Sequence, residues 1–317
     1  MEMGLNCFLH IKLINNLSSF KVIMVRGFLK KLLGGAVIAL LLFYLFSNLF
    51  TNFEELREYT WKFRLASLLF GFVVLVIFNL LAPFIWWKIL KSLGGNLPFM
   101  TTFKIWALSQ SGRYIPGKIW GIVGRVYWAK DIKKIIVLWS AWIETLLVLL
   151  SGFILSISLL SFLRIDVKIP HQKTLVFLLF SLIFLHPKLL AWLVSKFTKE
   201  RPKLRFVDLV IWFFLYVLLW LGSGLGYFWI LGGVSIEADW KNIVSMFPVS
   251  WILGFLAPFA PGGIGVREGV LTFLLTPSIG PGVAALASII MRIATTLLDL
   301  SLLGIAGIAK LFERFSD

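Results

Sequence analysis

Apolar runs of about 18 residues or more recur along the chain, separated by short polar and basic segments. A helix of that length crosses a hydrocarbon core of roughly 30 Å. Six such runs stand out, at about 32–50, 65–85, 134–162, 172–195, 206–231 and 282–309. They predict an all-α integral membrane protein with six transmembrane helices. Two further segments, at about 99–129 and 241–276, are also apolar. They hold more Gly, Pro and charge than a simple span tolerates.

Those two segments are broken in the same way. The first reads Tyr114-Ile115-Pro116-Gly117-Lys118-Ile119, and the second reads Phe259-Ala260-Pro261-Gly262-Gly263-Ile264. Each places an aromatic two residues before a Pro-Gly pair and an Ile three residues after the Pro. Proline removes a backbone donor and clashes with the preceding turn. Glycine then permits a sharp reversal. Loose backbone of this kind is tolerated at membrane depth only where protein or water covers it. Both segments are therefore expected to be re-entrant helical hairpins. Paired interruptions at matching places in two halves point to a binding site near the bilayer midplane.

The order of elements repeats. Span, span, hairpin, span occupies about 32–162, and the same order occupies about 172–309. Three full spans separate the hairpins, an odd number, so the halves face opposite ways and form an inverted repeat. Lys and Arg concentrate in 1–31, 86–134 and 188–205, which become cytoplasmic when the N-terminus is placed inside. The expected layout is a cytoplasmic segment at 1–31, one membrane domain at 32–311 and a cytoplasmic tail at 312–317. The expected location is the plasma membrane.

Composition agrees with that class. The chain is 59% hydrophobic with only 15% charged residues, against about 25% in soluble domains. The formal net charge of +16 belongs to the cytoplasmic loops and to attraction for anionic headgroups. No basic-aromatic module suited to nucleic acid is present. Cys7 is the sole cysteine, and His10, His171 and His186 are scattered, so neither a disulfide nor a metal site is expected. No phosphate loop and no cofactor motif is found.

Candidate chemistry gathers at the breaks. A helix that restarts after a break turns its first amides, and partial positive charge, into the membrane. The first break carries Arg113 and Lys118 beside Pro116 and Gly117. The second carries Arg267 and Glu268 after Pro261, Gly262 and Gly263. These residues are the candidate substrate-binding set, with a local Arg267–Glu268 ion pair as the structural alternative. Arg125, near Lys130, Lys133 and Lys134, reads as a cytoplasmic topology anchor. Glu144, Arg292 and Asp299 lie deep in apolar runs, where ionisable groups face an interior, a partner or an aqueous path. A Glu144–Arg292 coupling pair is expected, with Asp299 as a second partner for Arg292. Gly222…Gly226, Gly117…Gly121 and Gly265…Gly269 have the spacing that lets helices approach closely.

The stretches Ser109 to Trp120 and Gly124-Arg125, then Ala260 to Gly269, and Arg292 in the last span, resemble signatures of the lysylphosphatidylglycerol synthase transmembrane family. That family includes the flippase domain of the multiple peptide resistance factor. The resemblance implies a lipid-translocation module with re-entrant helices. Two-domain relatives carry a soluble synthase domain. The chain reaches Asp317 shortly after its last span, so that domain is not expected here. The reading is a non-enzymatic flippase or lipid transporter for an anionic phospholipid or polyprenyl-linked lipid. Homo-oligomerisation and a separately encoded lipid-modifying enzyme stay open as partners. The rivals are a non-catalytic partner subunit of such an enzyme or of a glycosyltransferase, and a membrane-embedded enzyme acting on lipid-linked phosphate.

Overall fold

The computed structural model describes residues 36, 39–44, 46–115, 119–160, 190, 192, 196 and 204–316. Among the described residues all regular structure is helical. Four stretches are long and apolar enough to cross a membrane: Leu65–Ser92, Lys134–Leu159, Phe206–Gly233 and Pro281–Gly307. They coincide with four of the six expected spans. A shorter apolar helix, Ala39–Thr51, falls in the expected span at 32–50. Most of the expected span at 172–195 lies outside the described residues.

The first long stretch runs further than the sequence pattern implied, and it is jointed. Helix α1 (Leu65–Asn79) ends at Leu80 and α2 (Leu81–Ser92) continues from it. Pro83 explains the joint. It has no amide to bond to the Asn79 carbonyl, and its ring crowds that carbonyl, so it is accommodated only in the first turn of a new helix. Lys88 and Lys91 thus fall on α2, with their ammonium groups over aromatic rings. Lys88 Nζ lies 4.7 Å from the Trp87 ring centroid.

Both broken segments fold as two helices joined at the break. In the first, α3 (Phe99–Gln110) runs into a 3₁₀ turn at Ser111–Tyr114, and α4 (Trp120–Trp128) packs back on α3. A side chain at Gly112 would lie 2.7 Å from the Trp120 carbonyl carbon, so the two arms cross where glycine leaves room. Pro116, Gly117 and Lys118 lie outside the described residues. After α5 (Lys134–Leu160) and α6 (Phe206–Gly233), the second broken segment has α7 (Trp240–Leu256), a 3₁₀ turn at Pro261–Gly263 and α8 (Val266–Ile279). Here Gly262, Gly263 and Gly265 take φ of 58°, 74° and 81°, a region that side chains rarely adopt. The chain ends in α9 (Pro281–Ser316).

Helices α1 and α6 make the most extensive pairing. Glycine permits it. A side chain at Gly71 would lie 2.6 Å from the Gly226 carbonyl oxygen, and one at Gly222 would enter the Phe78 ring. One further pair of contacts is reciprocal. The first broken pair packs through α3 on α9, and the second packs through α7 on α5. Each therefore leans on the long helix that follows the other. Phe70, Val73 and Ile77 of α1 and Ile211, Phe214 and Leu218 of α6 stay exposed, as residues facing lipid do.

Candidate functional site

The two breaks meet. A side chain at Gly262 would lie 3.1 Å from the Tyr114 ring and 3.2 Å from Arg292 Nη2, so the turn of one pair sits against the turn of the other. Around this junction, among the described residues, lie four guanidinium groups and three carboxylates. The carboxylates pair with Arg113, Arg125 and Arg292.

Arg125 on α4 forms a buried ion pair with Glu144 on α5. Glu144 Oε1 also accepts hydrogen bonds from Trp106 Nε1 at 3.0 Å and Tyr216 OH at 3.2 Å. The Arg125 guanidinium lies 4.5 Å from the Trp86 ring centroid. Every part of this pair is therefore satisfied, as a buried pair requires. This corrects two expectations. Glu144 pairs with Arg125, not Arg292, and Arg125 is buried structure rather than a topology anchor. Its sequence neighbours Lys130, Lys133 and Lys134 made it look like part of a solvated cluster. The turn of α4 points it inward instead, toward Ser109 of α3.

Arg292 on α9 holds the second break. Its Nη1 donates to the Gly262 carbonyl at 3.0 Å, and its Nε lies 3.5 Å from Glu268 Oε1. Glu268 Oε2 accepts from the Gly265 amide at 2.6 Å and so caps the start of α8. Glu268 therefore pairs with Arg292 rather than with its neighbour Arg267. Asp299, also on α9, holds the first break. It accepts from Tyr114 OH at 2.6 Å and lies 3.4 Å from Arg113 Nη1. Its partner is thus Arg113, not Arg292 as expected. Arg113 also donates to Gln110. Tyr114, Trp106 and Tyr216 were absent from the sequence-derived candidates. The repeated aromatic before each Pro-Gly pair was the one available signal for Tyr114.

Between these pairs lies a cavity of about 220 Å³. Arg113, Arg125, Arg267, Glu144 and Asp299 line it, beside Trp251, Phe255, Leu298 and Leu302. It is smaller than the roughly 300–1,000 Å³ of pockets that enclose a drug-sized ligand. It suits a small polar or anionic group bordered by apolar surface. Arg267 faces it from the first turn of α8, with its guanidinium 5.0 Å from the Trp251 ring centroid. The positive end of the α8 dipole lies at the same place. Among the described residues no group of three His, Cys, Asp or Glu side chains suitable for a metal ion is found.

Jointed helices, a lipid-facing apolar exterior and a charged internal cavity define a multi-pass helical membrane protein. Within that class, the family model for the lysylphosphatidylglycerol synthase TM region matches residues 31–304, and the chain belongs to that family. Comparison with curated proteins and with solved structures found no match.

Proposed function

We propose that the protein is a lipid transporter of the flippase type. A phosphate-bearing headgroup occupies the cavity between the two breaks while its acyl chains remain in the bilayer. The lipid is an anionic phospholipid or a polyprenyl-linked lipid. The observation that carries this reading is the arginine-lined cavity at the meeting point of two broken helix pairs. An anion needs such donors at low dielectric, and the apolar border accommodates the start of a chain.

The reciprocal packing of α3 on α9 and α7 on α5 supports an inverted repeat, with each broken pair a re-entrant hairpin. Both termini are cytoplasmic, as the distribution of Lys and Arg favours, and the protein resides in the plasma membrane. The protein has no catalytic role of its own, and any lipid-modifying enzyme acts as a separate partner. Reconstitution into liposomes with a tail-labelled phosphatidylglycerol tests the reading. Wild-type protein exposes inner-leaflet label to an external quencher, and Arg113→Ala and Arg267→Ala reduce that rate at least tenfold. Wild-type rates in both variants refute the headgroup site. Lipid product formation points to an enzyme, and a co-purifying enzyme without lipid movement points to a partner subunit.

A further inference from the structure

Among the described residues around the cavity, guanidinium groups outnumber carboxylates by one, and the bearer of this surplus is identifiable. Arg125 is committed to Glu144, Arg113 to Asp299 and Arg292 to Glu268. Four guanidinium groups thus face three carboxylates among the described residues. The remaining one, Arg267, makes no hydrogen bond or ion pair with any described residue, and its Nε is buried without a hydrogen-bond partner. Arg113 Nε and Glu268 Oε1 also lack a hydrogen-bond partner, but their side chains are paired through other atoms. The Arg267 guanidinium lies over the Trp251 ring, and the charges of Arg113, Arg292 and Glu268 act on it without a direct contact.

The surrounding chain is nevertheless shaped to seat it. A side chain at Gly254 would lie 2.3 Å from Arg267 Cγ, and one at Gly263 would lie 2.8 Å from Arg267 Nε. Two glycines, one on α7 and one in the second break, therefore open a slot through which the arginine reaches the cavity wall. Arg267 is half-buried, and a cation held there without a partner is unfavourable for folding. Such a slot suits a counterion that arrives with the headgroup.

We infer that Arg267 makes the cavity selective for a headgroup with a single negative charge, a phosphodiester, over a phosphomonoester or an uncharged lipid. A phosphodiester neutralises the surplus and accepts from the guanidinium fork. A phosphomonoester approaches two negative charges above its second ionisation near pH 6, so it leaves one negative charge buried and unpaired. An uncharged lipid leaves Arg267 itself unpaired. The inference rests on the cavity being the headgroup site of the proposed transporter. It covers phosphatidylglycerol and polyprenyl phosphosugars alike, since both present a phosphodiester.

Nanodiscs at pH 9 containing phosphatidylglycerol, a glucosyl phosphopolyprenol, phosphatidic acid or diacylglycerol test it by lipid retention and thermal melting. Wild type retains at least one phosphodiester about tenfold more strongly than phosphatidic acid or diacylglycerol, and that lipid raises its melting temperature. Which phosphodiester does so separates the two sources. Arg267→Met loses this preference and melts, without added lipid, at or above the wild-type temperature, because an unpaired half-buried cation has been removed. Arg267→Lys keeps the charge preference. Equal retention of phosphatidic acid, an unchanged preference in Arg267→Met, or melting of that variant well below wild type overturns the inference. The last result marks Arg267 as structural. Leaflet exchange in the same preparations separates the two ideas. Charge-selective binding without exchange sinks transport and leaves the selectivity standing. Exchange indifferent to phosphate charge does the reverse.

Discussion

Residue by residue, the charged groups differ in kind although they share one cavity. The Arg125–Glu144 pair is satisfied on all sides by Ser109, Trp106, Tyr216 and the Trp86 ring. Removing one member strands the other, which typically costs about 3–5 kcal/mol. Glu144→Ala is expected to lower the detergent melting temperature sharply, whereas Arg125→Met combined with Glu144→Leu recovers only part of the loss, because Trp106 Nε1 and Tyr216 OH lose their acceptor. A double-mutant cycle on melting checks this, and additive losses refute the pairing. That Glu144, Arg292 and Asp299 turn toward the protein interior was legible, because a charge inside an apolar run is too costly to leave facing lipid. Their partners were not. Pairing depends on which faces of α4, α5 and α9 meet, and a one-dimensional pattern carries no such information. The seat of Arg267 was equally hidden, since Gly254 looks like an ordinary small residue in an apolar helix.

Among elements, the breaks were the most legible feature. Pro-Gly pairs act locally, so Ser111–Tyr114 and Pro261–Gly263 interrupt their helices close to where the residues say they should. The joint at Leu80 went unread because Pro83 sits in a run apolar enough to pass as one span. The Gly222…Gly226 spacing signalled close packing, and α1 is the helix it receives. Gly226→Ala would push a methyl to 2.7 Å from the Leu75 side chain and 2.9 Å from the Gly71 carbonyl oxygen. That overpacking is expected to destabilise by about 1–3 kcal/mol. Gly232, on the same helix, has nothing within 4 Å of such a methyl. Gly232→Ala is expected to be neutral or to stabilise by up to about 1 kcal/mol. Thermal melting of the two variants side by side checks the α1–α6 contact, and equal effects contradict it.

For the whole molecule, hydropathy was enough to place four spans, since burying an apolar helix in lipid depends on composition more than on partners. Mutual arrangement was legible only as an order of elements. The side each loop faces is open to direct measurement. In a Cys7→Ser background, Asn96→Cys lies between α2 and α3 and Glu237→Cys between α6 and α7. An impermeant thiol reagent added outside intact cells is expected to label Glu237→Cys and to spare Asn96→Cys until the membrane is opened. The opposite result inverts the topology.

Arg292 and Asp299 stand seven residues apart on α9, about 10.5 Å along its axis and on one face. One grips Gly262 of the second break, and the other grips Tyr114 of the first. A single rod thus tethers both elbows, and its tilt or rotation loosens them together. Under the transport reading proposed above, access to the cavity from either side of the bilayer would hang on one shared hinge rather than on two independent doors.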